Sequence, residues 1–361
     1  MSEVNVDRLI STFCELVKIP SESPDDNEFI DHLSSLFKMM GGKPKKDSYG
    51  NLIVKFDAKN SKNKTSLAFC AHADTVKPGI GIEPIIEKDR IRSNGKTILG
   101  ADDKAAIAQI MEMIRVAEKR PPLEIVITRC EEPGSWGSAN LDYSMLDSKL
   151  AYVLDMEYPH EVVVGGPTRI CLDVDYKGKP AHAGMAPEKG ISAILAASKA
   201  ISRLRLGKLD EETTANVGVI HGGEIRNGVP ENAKVLAECR GLNHEKAVKL
   251  ADEMEKIFRE ASEEVGTQVT IEREISLKAY HLDEKSVAVQ LAMSALKKND
   301  INPETKIIRG GTDATAFNEK GIQTGVLGVG YRDIHSNDEY ILINEMVVMT
   351  NVIKTMVEDF A

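Results

Sequence analysis

The stretch Ser66-Leu-Ala-Phe-Cys-Ala71, followed directly by His72-Ala-Asp74, decides the fold class. A continuous apolar run of this length is typical of a strand buried on both faces of a sheet. Residues 123–128 and 151–154 repeat the pattern, and residues 103–119, between the first two runs, have helical periodicity. Buried strands that alternate with helices predict an α/β sheet with helices on its faces.

The segments before and after this core extend the same pattern. Apolar spacing predicts helices over residues 5–18 and 26–41, with Asp25 or Asp26 as the N-cap of the second, and a strand over 51–56. Near the end of the chain, the pattern predicts two more helices and a short strand, over residues 286–297, 346–360 and 325–328.

The middle of the chain follows a different order, β-α-β-β-α-β, which is that of a ferredoxin-like unit. Its predicted strands and helices cover residues 169–176, 191–206, 214–220, 233–239, 244–265 and 268–273. We therefore expect a first domain made of residues 1–168 and 279–361. Residues 169–278 would form an inserted domain of roughly 110 residues, which is within the usual size range.

Composition excludes several classes of protein. The chain has 361 residues and a formal net charge of -10, which argues against nucleic acid as a partner. Its five cysteines are odd in number and form no Cys-x-x-Cys motif, so neither a disulfide framework nor a cysteine-built zinc site is expected. The N-terminus does not resemble a signal peptide, and no run of about 18 apolar residues occurs, so we expect a cytoplasmic protein with no membrane partner.

Side chains that can bind metal ions follow the predicted strands at several places. The segments are His72-Ala-Asp74, Gly100-Ala-Asp102-Asp103-Lys104, Glu131-Glu132, Asp155 and His335. Each alone is a weak signal, because such residues also cap helices or lie on solvated surfaces. Together they point to the carboxyl edge of the sheet, where open α/β sheets bind ligands. Histidine combined with carboxylates suits zinc and similar ions.

Charge balance is compatible with a site for two divalent ions, because such a site would be nearly neutral. Two divalent cations bring four positive charges, of which Asp102, Glu132 and Asp155 would neutralise three and a bridging hydroxide the fourth. One carboxylate must lie between ions about 3.5–4 Å apart, and adjacent glutamates could provide a ligand and a general base. We predict that Asp74 accepts the spare imidazole N–H of His72 and fixes its tautomer; the alternative is a cap of the following segment.

These segments resemble the M20 family of di-zinc peptidases, and within it peptidase T and related tripeptidases. The resemblance covers nearly the whole chain in the family's order. In the first domain it rests on His72-Ala-Asp74-Thr75, Thr97-Ile-Leu-Gly-Ala-Asp102-Asp-Lys-Ala105, Glu131-Glu132-x-Gly134-x-x-Gly137, Leu154-Asp155, Gly310-Gly311-Thr-Asp313-Ala314 and Ile334-His335-Ser336. In the insert it rests on Gly178-x-x-Ala181-His182-Ala-Gly184, Gly222-Gly223-x-x-x-Asn227-x-Val-Pro230 and Arg240.

The resemblance implies a mixed-sheet catalytic domain of the zinc exopeptidase type, with an inserted lid and dimerisation domain and hence a homodimer. It also implies two divalent ions per subunit, zinc before cobalt or manganese. Asp102 would bridge the ions, His72 and Asp155 would complete one site, and Glu132 and His335 would complete the other.

Further roles come from the same resemblance. Glu131 would be the general base that takes a proton from the bridging water and returns it to the leaving amine. His182 would reach a neighbouring subunit's site and stabilise the oxyanion. Arg240 would hold a substrate carboxylate through its two parallel N–H groups, with a structural ion pair as an equal alternative. Asn227 is a further candidate for a substrate contact.

The predicted function is that of a metal-dependent exopeptidase acting on short peptides, an aminopeptidase that releases the N-terminal residue of tripeptides through a metal-bridging hydroxide. An N-acyl amino acid deacylase or a dipeptidase with the same metal centre is the alternative. A non-catalytic binding protein is disfavoured, because Glu131 and every ligand are present. Pro133 and Trp136 lie in the loop of the paired glutamates and leave the preference for tripeptides open.

Overall fold

The computed structural model describes residues 3–361. Its α-helices are Val6–Val17 (α1), Asn27–Met39 (α2), Ala101–Val116 (α3), Trp136–Ala139 (α4), Ala193–Arg203 (α5), His244–Val265 (α6), Val287–Lys298 (α7), Ala314–Glu319 (α8) and Ile343–Phe360 (α9). Short 3-10 helices occur at Tyr143–Met145 and Pro187–Lys189. Over the described residues, none of these helices has both the length and the apolar character needed to cross a membrane.

The strands alternate with these helices along the chain. They are Lys43–Lys46 (β1), Leu52–Phe56 (β2), Leu67–His72 (β3), Ile85–Ile86 (β4), Arg90–Arg92 (β5), Leu123–Thr128 (β6), Leu150–Met156 (β7), Glu161–Gly166 (β8), Thr168–Lys177 (β9), Gly207–Lys208 (β10), Thr213–Gly222 (β11), Asn232–Gly241 (β12), Gln268–Leu277 (β13), Tyr280–His281 (β14), Glu304–Ile307 (β15), Gln323–Gly328 (β16), Tyr331–Arg332 (β17) and Tyr340–Leu342 (β18).

Contacts divide the chain into two compact units. One contains the residues up to Gly165 together with His281–Ala361, and the other is Gly166–Tyr280. The sequence placed the borders after residues 168 and 278. The assignment of residues 1–168 with 279–361 as a catalytic domain stays a prediction, and the first two residues of that range lie outside the described part of the chain.

The first unit is built on a large sheet in which β3 lies at the centre. Strands β6 and β7 flank β3 and run parallel to it, whereas β2 pairs with β6 antiparallel. The strand order is β1-β2-β6-β3-β7-β16-β8-β14, with β15 paired to β8. The predicted mixed sheet is confirmed. Strand β16, which comes late in the chain, lies between β7 and β8, which are consecutive in sequence.

Helix α3 packs against β3 and β7, and it is buried on all sides apart from Arg115. The sequence suggested one apolar side. Polar residues on its other sides are buried as well, and two of them have partners in distant segments. Glu112 pairs with Arg8, and the Gln109 amide donates to the carbonyl oxygen of Val329 at 2.8 Å. These contacts offset part of the cost of burying Glu112 and Gln109, although Gln109 Oε1 has no hydrogen-bond partner among the described residues.

Asp26 lies at the N-cap position of α2, but its side chain makes no capping hydrogen bond. The predicted cap is therefore wrong for the side chain. Asp26 is fully buried, and its carboxylate accepts a hydrogen bond from Arg129 Nε at 2.5 Å. An unpaired buried carboxylate costs more free energy than an uncapped helix end, so Asp26 pairs with the guanidinium of Arg129 and does not cap α2. The ion pair between Asp26 and Arg129 therefore links α2 to the end of β6.

A second, small sheet in the first unit has the order β17-β18-β5-β4. Strands β17 and β18 form a hairpin in which Tyr331 faces Ile341 and Arg332 faces Tyr340. The hairpin's loop contains His335. These strands have two or three residues each, too few to show periodicity, and the sequence did not predict them.

The second unit has one antiparallel sheet of order β10-β11-β12-β9-β13. Helices α5 and α6 pack against it, and the inward side chains of the strands and both helices form its core. Along the chain the order is β9-α5-β10-β11-β12-α6-β13, which adds one two-residue strand to the expected pattern.

Candidate metal centre

Five chain segments bring side chains to one edge of the large sheet. Strand β3 ends in His72, and because β3, β6 and β7 are parallel, their carboxyl ends meet there. Strand β6 leads to Glu132, strand β7 contains Asp155, and Asp102 lies in the first turn of α3. His335 reaches the same place from the loop of the β17–β18 hairpin.

The structure brings the five predicted ligands together as two groups of three that share Asp102. His72 Nε2 lies 2.9 Å from Asp102 Oδ1 and 3.9 Å from Asp155 Oδ1. His335 Nε2 lies 3.3 Å from Asp102 Oδ2 and 2.9 Å from Glu132 Oε2. The two oxygens of Asp102 thus face different histidines, which is the arrangement that a bridging carboxylate requires.

Burial and crowding shift the ionisation of this cluster. Hydrogen bonds to Asp102 and Glu132 raise the pKa of His335 to about 10. Burial raises the pKa of Asp155, and the charge of Asp102 raises it further; burial and the charge of Asp155 do the same to the pKa of Glu131. These shifts favour the protonated forms of the two carboxyl groups, whereas a bound divalent cation would favour the deprotonated forms, since metal ligands bind without their protons.

The residues present fit a divalent cation. In each group the candidate ligand atoms lie within 4.8 Å of one another. One oxygen of Glu132, Oε1, is buried without a hydrogen-bond partner, and such an orphaned acceptor is costly unless something binds it. Histidine nitrogen and carboxylate oxygen without sulfur are the donor set expected for zinc, cobalt or manganese.

Asp74 contacts His72 through both its main chain and its carboxylate, so its predicted role stays a prediction. His72 Nδ1 lies 2.9 Å from the main-chain oxygen of Asp74 and 3.6 Å from its carboxylate, so the main chain orients the ring. The carboxylate also accepts the backbone N–H groups of Glu131 at 2.9 Å and Glu132 at 3.2 Å. The hydroxyl of Ser23 donates to it as well. Asp74 therefore holds the turn that contains the paired glutamates.

Glu131 belongs to neither ligand group, although it adjoins Glu132. Its Oε1 accepts the hydroxyl of Ser135 at 2.7 Å, and its main-chain oxygen accepts the N–H of Ser135. Cys130 and Ser135 both have left-handed backbones, with φ of 50° and 56°. Non-glycine residues rarely adopt this conformation, so the surrounding contacts must hold the turn in place.

Gly137 lies where the turn that contains the paired glutamates packs closely against the end of β6. A Cβ at this position would lie 2.1 Å from Arg129 O and 2.8 Å from Asn51 Oδ1. We expect Gly137→Ala to lower the free energy of unfolding by about 3 kcal/mol, because backbone atoms cannot move aside cheaply. Urea unfolding of the purified variant measures this. Gly310→Ala is the control, because its Cβ would meet nothing within 4 Å; equal stability of both variants would contradict the prediction.

Three residues that support the ligands were not predicted from the sequence. Ser23 contacts Asp74 as described. The hydroxyl of Tyr331 donates to Asp155 Oδ1 at 3.0 Å. Glu339 is buried and accepts backbone N–H groups of the segment that contains Asp102. No spacing rule links these residues to the ligands, because they come from distant parts of the chain.

The other predicted site residues lie in the second unit. His182 is exposed, and its Nδ1 accepts the N–H groups of Gly184 and Met185, each at 3.2 Å, so the neutral ring has its proton on Nε2. Asn227 and His182 line a crevice of about 980 Å³.

Arg240, on β12, is half of an ion pair. Its Nε lies 2.8 Å from Glu238 Oε1, and its Nη2 lies 3.3 Å from Glu238 Oε2. The two residues are separated by one position on the same strand, so their side chains share a face of the sheet. The alternative of a structural ion pair is thus realised in this structure.

Comparisons with known proteins agree with this architecture. Residues 169–266 match the peptidase dimerisation domain of the M20 peptidases, and residues 51–165 match peptidase family M28. The uncharacterized protein YqjE of Bacillus subtilis is 37% identical over 99% of this chain and all of its own length. The solved structure of aminopeptidase PepT from Bacillus cereus is 35% identical, with a TM-score of 0.90 and 99% of each chain covered. The chain belongs to the M20 peptidases, on the peptidase T side of the family.

A second solved relative supports that placement. A tripeptidase from Staphylococcus aureus is 32% identical to this M20 peptidase, with a TM-score of 0.93 over 99% of each chain. The resemblance inferred from the motifs is therefore confirmed, and the protein is a peptidase rather than a binding protein that kept the fold.

Proposed function

We propose that this M20 peptidase is a metal-dependent aminopeptidase that releases the N-terminal residue of tripeptides, with two divalent ions, zinc before cobalt or manganese, at its active site. The observation that supports it is the pair of ligand groups that share Asp102, with Glu131 on the same turn as Glu132. When bound, the ions supply Lewis acidity that activates a water molecule and polarises the substrate carbonyl.

In this proposal His72, Asp102 and Asp155 hold one ion, and Asp102, Glu132 and His335 hold the other. Glu131 stays free of the ions, takes a proton from the attacking water and returns it to the leaving amine. Its carboxylate is oriented by the hydroxyl of Ser135.

The second unit is proposed to be a ferredoxin-like lid and dimerisation domain whose His182 reaches the site of a neighbouring subunit. The term ferredoxin-like is supported by its strand order β13-β9-β12-β11 and by its two packed helices. The Nε2–H of His182 is a donor suited to an oxyanion, because Nδ1 is already engaged by the backbone. Arg240 would hold a substrate carboxylate only by sharing or exchanging its bond to Glu238, and Asn227 would contact the substrate beside His182.

A substrate panel tests the proposed activity. The protein, supplied with zinc, cobalt or manganese, is given Ala-Ala-Ala with free or blocked termini, together with di- and tetrapeptides and N-acetyl amino acids. We expect release of the N-terminal alanine from the free tripeptide and no cleavage once its amine is acetylated. Preferred cleavage of N-acetyl amino acids would indicate a deacylase, preferred cleavage of dipeptides a dipeptidase, and no cleavage at all would refute the proposed exopeptidase.

Dimerisation through the second unit is part of the proposal. On one side β11 pairs with β12, but on the other, among the described residues, β10 covers only Thr214 and Ala215. The rest of β11 is an open sheet edge on which Ile220 is 47% exposed. An uncovered edge with apolar side chains suits pairing with a second copy.

We expect the wild type to be a dimer and Ile220→Asp to shift it to a monomer, because a charge placed at the interface must be desolvated. Light scattering coupled to gel filtration measures the mass. Ile275→Asp is the matched control, since Ile275 is 49% exposed on β13, at the opposite edge of the sheet. A monomeric wild type, or equal masses for the two variants, would count against this interface.

A further inference from the structure

Glu339 is the last loop residue before β18, so it lies on the same hairpin as His335. It is 1% exposed, although glutamate is rarely buried without a reason. Its Oε2 accepts the backbone N–H groups of Leu99 at 2.7 Å and Gly100 at 2.8 Å, and its Oε1 accepts that of Asp102 at 3.1 Å. One carboxylate therefore accepts three backbone donors, from Leu99, Gly100 and Asp102, around the start of α3.

These donors need an external acceptor. The first N–H groups of a helix have no partner within it, and a negative charge at that end is favoured by the helix dipole. Here the backbone is also irregular, because Gly100 is left-handed, with φ of 72°, and Asp102 and Asp103 have non-helical dihedral angles. Regular helical hydrogen bonds thus do not fix the direction in which the Asp102 side chain leaves the backbone. The hydrogen bond from the Asp102 N–H to Glu339 is a contact that can fix it.

The direction of that side chain matters for both ligand groups at once. Asp102 Oδ1 faces His72 and Asp102 Oδ2 faces His335, at 2.9 and 3.3 Å. A rotation of the Asp102 backbone would move both oxygens together. Glu339 and His335 lie on the same short hairpin. The hydrogen bonds of Glu339 therefore also fix the position of the Asp102 loop relative to the segment that contains His335.

We propose that Glu339 is a positioning residue of the metal centre, which holds the backbone of Asp102 so that its two oxygens meet both ions. This inference rests on the proposed two-metal function, and Glu339 itself touches neither ion nor substrate.

The chain provides a matched control. Glu124 is also 1% exposed, and its carboxylate accepts the backbone N–H groups of Asp147 and Ser148 at 2.9 to 3.1 Å. Like Glu339, it is a buried carboxylate that accepts backbone N–H groups of a loop; in addition, its Oε1 pairs with Lys55 Nζ at 2.9 Å. Glu124 lies near the start of β6, however, at the opposite end of the strand from the paired glutamates, and the loop it holds contains no candidate ligand.

The test compares zinc affinity in Glu339→Gln and Glu124→Gln. The amide keeps the volume, but in either orientation its NH₂ group faces at least one backbone N–H donor. Metal-free proteins are titrated with Zn²⁺ in competition with a chromophoric chelator. We expect Glu339→Gln to bind both ions about 10–100-fold more weakly, the range found for residues that orient metal ligands, and Glu124→Gln to bind them as the wild type does.

Two further measurements separate positioning from general stability. The cobalt-substituted Glu339→Gln protein should show altered visible absorption bands, which report ligand geometry. At saturating metal, its kcat should fall while KM is kept. If Glu339→Gln does not fold, Glu339→Asp takes its place, because it keeps the charge with a shorter reach; weaker zinc binding with altered cobalt bands is again expected.

Wild-type affinity in the Glu339 variant that folds, or equal weakening in Glu339→Gln and Glu124→Gln, would overturn the inference. Failure of the wild type itself to bind two zinc ions would instead refute the proposed function on which the inference rests.

Discussion

Asp102→Ala is expected to abolish both metal binding and turnover. Asp102 is the one residue common to the two ligand groups, so its loss leaves two ligands at each. Without the ions the reaction loses several kcal/mol of transition-state stabilisation, and each 1.36 kcal/mol corresponds to a tenfold change in rate. We therefore expect kcat to fall by several orders of magnitude, and metal analysis after dialysis to find neither ion.

Asp155→Ala is the comparison for this variant. Asp155 belongs only to the group of His72, so its removal should free one ion and leave the other bound by Asp102, Glu132 and His335. Metal content of zero for Asp102→Ala and one for Asp155→Ala would fit the shared-ligand arrangement. Two ions retained by Asp102→Ala would exclude it.

Glu131→Gln should separate chemistry from metal binding. The amide has nearly the same shape and can still accept the hydroxyl of Ser135, and Glu131 belongs to neither ligand group. Both ions should therefore remain. The amide cannot take a proton from water, and loss of a general base typically costs a hundredfold or more in rate. We expect kcat to fall at least about a hundredfold with little change in metal content.

Ser135→Ala serves as the control, because it removes only the hydrogen bond that orients Glu131. Its kcat should lie between those of the wild type and Glu131→Gln. If Glu131→Gln turned over tripeptides as fast as the wild type, Glu131 would have no part in proton transfer, and another group would have to be the base.

Sequence patterns located the core of the first unit because its strands are buried on both faces. Runs such as the one that became β3 contain almost no polar residue, and they lead directly to His72 and Asp155. The same reasoning was less successful for α3. Its buried polar residues, including Glu112, have partners far away in the chain, which a local pattern cannot show.

The contacts that support the ligands could not be predicted from the sequence, again because the partners are far apart in the chain. Asp74 was expected to orient His72 by its carboxylate, but the main-chain oxygen lies closer, and the carboxylate is engaged by the glutamate turn. Tyr331 and Glu339 come from a hairpin of very short strands that shows no periodicity. Such partners are determined by proximity in the folded structure, which the spacing of residues along the chain does not reveal.

The position of β16 has a consequence for synthesis on the ribosome. Strands β7 and β8 leave the ribosome early, but the gap between them is filled only by residues 323–328, after the whole second unit has been made. His335 follows a few residues later. Since domains tend to fold as they emerge, the second unit can fold first, while the proposed metal centre is complete only after residues 323–335 have been made. A nascent chain that ends before these residues is therefore expected to have no peptidase activity.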